Sequence, residues 1–175
     1  MLPTVVLRPV ILAAVFIIVY GTVVRVKDGD TVVVDLAGRG PVVCRLYAID
    51  APERRQPFGT EATEALERLL GEEGRVTVTL TGSKSYGREI CVLEREGRNI
   101  NIEMTSLGLA WVARPYLDGS GAGAAYIEAE RKARRDRPGL WGQPQPIPPW
   151  EWRRGKREQS QQNMPRSTPA ADFSP

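Results

Sequence analysis

The chain has 175 residues, 42% of them hydrophobic and 26% charged, which suits one globular domain with short appendages and leaves too little for a second full core. Its 24 Lys+Arg against 21 Asp+Glu give a net charge of only +3, so any affinity for a polyanion has to come from clustered basic residues. With no histidine, and only Cys44 and Cys91 as thiols, His-based triads, His-metal nucleases and four-cysteine zinc sites are excluded; a metal has to sit on oxygen ligands, as hard cations such as Ca²⁺ or Mg²⁺ do.

Residues 9–19, PVILAAVFIIV, are continuously apolar after Arg8 and the N-terminus, too short a run for a membrane-spanning helix. The pattern is that of the apolar region of a signal peptide or an anchor, with a buried first strand or core helix as the plain alternative. Two Val-rich runs, 22–27 and 31–35, flank Asp28-Gly29-Asp30, and Asp-Gly between such runs predicts a hairpin. A third strand over 42–49 follows the turn residues 38–41, so that Arg45 and Asp50 can be aimed at one place. Ala62, Leu66, Leu69 and Leu70 repeat at helical spacing, with Thr60 as the expected N-cap and Gly71 as the terminator.

Strands are predicted at 75–81 and 88–93 around the loop 82–87, and two further helices through Ile100, Met104 and Leu107 and through Ala122, Tyr126, Ala129 and Ala133. Five strands with a helix between the third and fourth is the order of the OB-fold, so the expected class is α+β, mainly β: a five-stranded barrel with about three helices. The expected organisation is an apolar signal or anchor segment over 1–20, the barrel domain over 21–142, and a Pro/Gln-rich basic tail over 143–175, largely disordered.

Three segments carry the chemistry: Asp28-Gly29-Asp30-Thr31, Arg45-Leu46-Tyr47-Ala48-Ile49-Asp50-Ala51-Pro52-Glu53, and Tyr86-Gly87-Arg88. Each alone is an ordinary turn or strand end. In this order and on this strand plan they resemble the staphylococcal nuclease family, and the resemblance runs from about residue 21 to 142. It extends to Gly59-Thr60-Glu61-Ala62, to Leu107-Gly108-Leu109-Ala110-Trp111 and to Gly139-Leu140-Trp141. Residues 148–153, Pro-Pro-Trp-Glu-Trp-Arg, look like the tail of many bacterial members.

The resemblance implies a calcium-dependent, sugar-nonspecific endonuclease that cleaves DNA and RNA to 3′-phosphate ends. It assigns the general base to Glu53, the phosphate clamp to Arg45 and Arg88, nucleotide contact to Tyr86 and Tyr116, and Ca²⁺ ligation to Asp30, Asp50 and the Ala51 carbonyl. Without histidine a carboxylate has to act as base, and the planar fork of arginine suits bidentate contact with phosphate oxygens. The bland alternative is a set of surface salt bridges from the two arginines to Asp50 and Glu53.

Two departures from the family pattern stand out. Only five residues, 54–58, separate Glu53 from Gly59, a much shorter loop than in the best-known member, and Arg114 stands where that member has a second tyrosine. The basic run Arg131, Lys132, Arg134, Arg135 and Arg137 reads first as a solvated helix face. Rival readings are a catalytically inactive nucleic-acid-binding OB module and a membrane-attached interaction domain, touching lipid through 9–19 and 150–157. No obligate protein partner is implied. Export, secreted or anchored, is the expected localisation, and Cys44 and Cys91 are either one bridge or two packed thiols.

Overall fold

The computed structural model describes residues 17–117 and 121–162; most of the expected apolar segment and the end of the tail lie outside them. Strand β1 (Ile17–Asp28) turns through Gly29-Asp30 into β2 (Thr31–Leu36), which returns as β3 (Gly40–Leu46). After the short β4 (Ile49–Asp50) and helix α1 (Gly59–Leu70), β5 (Arg75–Ser85) and β6 (Arg88–Arg95) form a second hairpin. Antiparallel pairing in the order β3-β2-β1-β5-β6 is closed by parallel pairing of β3 with β6, giving the five-stranded OB barrel that the strand order predicts.

The alternation of Val32, Val34 and Leu36 with exposed or half-buried neighbours turns one face of β2 inward, and Val76, Val78, Leu80 and Leu93 do the same for β5 and β6. Leu66, Ala62 and Ala65 of α1 are buried in the same core. Beyond β6 come β7 (Arg98–Asn99), α2 (Ile100–Ser106), β8 (Trp111–Val112), which pairs with β4, and α3 (Ala122–Asp136). The Asn99 side chain caps α2 by accepting a hydrogen bond from the Ile102 amide at 3.1 Å.

Several expectations are corrected. The boundary between apolar segment and domain falls inside a strand, because Ile17–Tyr20 pair with Leu80–Thr77; β-branched residues with free backbone groups extend a sheet edge readily. The single strand expected over 42–49 is broken at Tyr47-Ala48, where Ala48 adopts φ 61 and redirects the chain into β4. Thr60 is not the cap of α1: Phe58, at φ 69, precedes the helix, and its side chain makes no capping bond. The short loop explains this, since a Cβ on Gly59 would lie 2.0 Å from the Glu53 carbonyl oxygen, and the chain is already turned into the helix there. Gly71 ends the helix as expected, at φ 66.

Within the tail expected to be largely disordered, residues 149–162 form a fourth helix, α4 (Pro149–Gln162), against about three predicted, while 163–175 lie outside the described residues. Trp150 lies edge-on to Trp111, with ring centroids 6.3 Å apart, and Pro149 is buried, so apolar contact holds the start of this helix on the barrel. Among the described residues, no helix is long and apolar enough to cross a membrane.

Of the two readings of the cysteines, the structure has the bridge: Cys44 and Cys91 are disulfide-bonded with Cα atoms 5.6 Å apart, joining the two strands that close the barrel. Closing a loop between positions 47 apart restricts the unfolded chain. The double substitution Cys44→Ser, Cys91→Ser is expected to lower stability by about 2–4 kcal/mol, as read by urea denaturation of unreduced protein. An unchanged denaturation midpoint would show that the bridge adds nothing.

Candidate active site

Short-range turn chemistry places the first carboxylate. Asp28 accepts a hydrogen bond from the Asp30 amide at 3.1 Å within the β1–β2 turn, which leaves the Asp30 side chain to cross toward the loop after β4. There Asp30 Oδ2 accepts from the Ala51 amide at 2.8 Å, while Oδ1 accepts from the Thr31 hydroxyl at 2.9 Å. The Leu46 amide donates to the Asp30 carbonyl at 2.8 Å, so hairpin turn, strand end and loop are tied together.

Arg45, near the end of β3, bridges two carboxylates. One Nη pairs with Asp30 Oδ1; the other donates to Asp50 Oδ1 at 2.8 Å and to the Ile49 carbonyl at 3.2 Å. The kink at Ala48 makes this reach short, so the aiming of Arg45 and Asp50 at one place is realised by a bend in the chain. Asp30 and Asp50 are buried, at 3% and 5% exposure, and charges at that depth require such pairing.

Glu53 is half-buried, and its neighbour Gln56 shapes the loop: the Gln56 side-chain oxygen accepts from the Glu53 amide at 3.2 Å, and the Gln56 amide donates to the Glu53 carbonyl at 2.8 Å. The Gln56 side-chain amide in turn donates to the Ile147 carbonyl at 2.6 Å, fastening the loop to the C-terminal segment. One helical turn past Trp150, Arg153 of α4 enters the site. Its Nη1 donates to Glu53 Oε1 at 2.7 Å and to Asp50 Oδ1 at 3.2 Å, and its Nη2 donates to Asp50 Oδ2 at 2.8 Å. The hydrogen-bonded Asp50 carboxylate, and Glu53 after it, hold the Arg153 guanidinium above its ordinary pKa against the opposing effect of burial.

The remaining expected residues stand apart from this cluster. Tyr86 and Gly87 form a two-residue turn with both residues at positive φ, 50 and 76, the geometry that suits a tight hairpin. Arg88 follows on β6, beside β3, with its Nε donating to the Ser85 carbonyl at 3.2 Å and no carboxylate within salt-bridge reach among the described residues. Tyr86 and Tyr116 are exposed, at 98% and 75%. Arg114 turns back to the buried Glu130 at 2.6 Å, which also accepts from the Val112 amide at 3.1 Å, so this arginine braces α3 against β8. The basic face of α3 is largely self-paired: Arg131 and Arg135 meet Glu128, and Arg134 lies 3.9 Å over the Trp141 ring.

The structure thus brings together Asp30, Arg45, Asp50, Ala51 and Glu53, and adds Gln56, to which the sequence assigns no role, and Arg153, which the sequence places only in a candidate lipid-contacting stretch. The available signal is the stretch Pro148–Arg153, which the sequence shows as a shared tail overlapping a candidate lipid-contacting stretch, not as part of the site. Among the described residues no three His, Cys, Asp or Glu side chains are gathered closely enough to hold a metal by themselves. The donor chemistry nonetheless fits a hard cation, because Asp30 and Asp50 are two buried all-oxygen ligands sharing one guanidinium; a backbone carbonyl and water would have to complete the shell.

Comparison with known proteins bears on the whole arrangement. The staphylococcal nuclease homologue family matches residues 43–143, which include Arg45, Asp50, Glu53 and Arg88. The chain is similar to a protein named Protein ParB of Escherichia coli, 38% identical over 143 residues, spanning 77% of this chain and 78% of that one. It is similar as well to a micrococcal nuclease of Shigella flexneri, 39% identical over 146 residues with 78% and 82% covered. An uncharacterized endonuclease of Escherichia coli O157:H7 is 37% identical over 139 residues, with 79% and 87% covered. On the barrel, the site and these similarities, the chain belongs to the staphylococcal nuclease homologue family.

Proposed function

We propose that this protein is a calcium-dependent, sugar-nonspecific endonuclease that hydrolyses DNA and RNA phosphodiester bonds to 3′-phosphate ends. The observation that carries this reading is the bridge Asp30–Arg45–Asp50 beside Glu53, set at the end of a barrel with Arg88 on the adjoining strand. Relatives named micrococcal nuclease and endonuclease support it.

Glu53, half open to solvent, takes the proton of the attacking water at its carboxylate. Arg88, uncommitted to any carboxylate among the described residues, offers its guanidinium to phosphate oxygens, where charge grows as the bond breaks. Arg45 orients the two aspartates and presents positive charge on the same side. Asp30, Asp50 and the Ala51 carbonyl would hold Ca²⁺, which when bound supplies a Lewis-acidic charge beside the phosphate. Tyr86 and Tyr116 are free in their exposure to stack on bases of any identity.

The test is incubation of supercoiled plasmid, and separately of single-stranded RNA, with the full chain in Ca²⁺ and then in chelator. Nicking of both that stops on chelation is expected. Binding without cleavage would replace this reading with that of a nucleic-acid-binding module, and cleavage undiminished by chelator would remove the metal. Export is part of the proposal: the disulfide suits an oxidising compartment, and the apolar run 9–19, whose last three residues belong to β1, reads as a targeting segment leading into the barrel. Thiol blocking during isolation from the native compartment should find the Cys44–Cys91 pair oxidised; two free thiols would contradict export.

A further inference from the structure

We propose that Arg153 is a built-in competitor for the catalytic cation: its guanidinium occupies the Asp50 and Glu53 carboxylates from the C-terminal helix and has to withdraw when a divalent ion binds. The inference rests on the reading of Asp50 as a cation ligand.

The geometry is that of a cation already in place. Arg153 holds both oxygens of Asp50, at 3.2 and 2.8 Å, and one of Glu53, at 2.7 Å, while Arg45 shares Asp50 Oδ1. Three carboxylates, Asp30, Asp50 and Glu53, therefore meet two guanidinium groups and keep one net negative charge. Calcium affinity rises with the anionic charge of its ligands. With Arg153 present a divalent ion meets a nearly neutralised site and a like charge on the same oxygens; with Arg153 gone it meets two net negative charges.

The means of withdrawal is also present. The helix is anchored upstream of the arginine, by Trp150 against Trp111, by buried Pro149 and by the bond from Gln56 to the Ile147 carbonyl. The Arg153 side chain itself is 39% exposed, so it can rotate to water while α4 stays docked. The Gln56 link runs from the Glu53 loop to this same segment, so loop and helix are positioned as one unit. The helix from the far end of the chain reaches Glu53, separated from Arg153 by 100 positions, right beside the 54–58 loop that Gln56 ties to its base.

Calorimetric titration of the full chain with CaCl₂, at low ionic strength and without nucleic acid, tests this apart from catalysis. Arg153→Gln and Arg153→Ala should bind Ca²⁺ about tenfold more tightly than the native chain, the order of effect for removing one bidentate, half-exposed charge pair. Arg154→Ala, on the exposed part of the same helix, should bind as the native chain does. Melting curves confirm folding, and the glutamine variant, which keeps most of the stem, serves if the alanine variant unfolds. Equal or weaker Ca²⁺ binding by the folded variants overturns the competitor role while leaving the metal reading intact. Absence of Ca²⁺ binding in native chain and variants alike removes the metal reading, and the competitor with it.

Discussion

Glu53→Gln is expected to lower the rate of phosphodiester cleavage by about 10²–10⁴-fold, the usual contribution of a positioned general base. The substitution keeps shape and keeps an oxygen that can accept from Arg153, and Glu53 is only half-buried, so the melting temperature should change little. Single-turnover cleavage of plasmid at saturating Ca²⁺, with the substrate in deficit, isolates the chemical step. A rate close to that of the native protein would mean that another group accepts the proton. With no histidine in the chain, the alternatives are few.

The second large effect concerns stability. Arg45→Ala should cost about 3 kcal/mol of folding stability in addition to activity, toward the lower end of the range for removing one partner from a buried ion pair. Asp30 and Asp50 are both nearly sealed from water and both face this one guanidinium, so its loss leaves buried charge that solvent cannot reach. The loss stays moderate because Asp50 keeps Arg153, and Asp30 keeps the Ala51 amide and the Thr31 hydroxyl. Arg88→Ala provides the contrast: it should lose about 10²–10³-fold in rate, as for a transition-state donor, with little change in stability, since among the described residues Arg88 neutralises no buried carboxylate. Equal denaturation midpoints for the Arg45 and Arg88 variants would refute this division of labour.

Two arginines that read alike in the sequence thus have different surroundings. Arg45 lies two residues from the kink at Tyr47-Ala48 and is drawn into the carboxylates by it. Arg88 follows a tight turn that lifts it clear of them. Their residue types and strand positions were legible; their partners were not, because partners depend on where the chain bends, and a non-glycine residue at φ 61 carries no sequence mark.

The same holds at the ends of the domain. The apolar run over 9–19 is uniform in composition, and nothing in it announces that Ile17, Ile18 and Val19 pair with β5; the edge of β5, extended to Ser85, decides that. The cap expected at Thr60 followed local propensity, and it failed because the close approach of Gly59 to the Glu53 carbonyl settles where the helix begins.

By itself the sequence determined the barrel and the chemical alphabet of the site. Alternating valines, turn residues at Asp28-Gly29-Asp30 and Tyr86-Gly87, and helical spacing in α1 are local signals with periods of two and 3.6 residues, which survive being read without coordinates. Absence of histidine left carboxylates and arginines as the reactive groups. Only the tertiary structure decided what those groups face. Parallel pairing of β3 with β6 brings Cys44 to Cys91, and part of a Pro/Gln-rich tail that reads as largely disordered folds into a helix on Trp111 and delivers Arg153 to Asp50 and Glu53. Tail composition is a statement about the average cost of ordering a segment. Docking is a statement about Trp150 meeting Trp111, about one proline being buried, and about Gln56 reaching the Ile147 carbonyl 91 positions away, and contacts at such range leave no periodicity behind them.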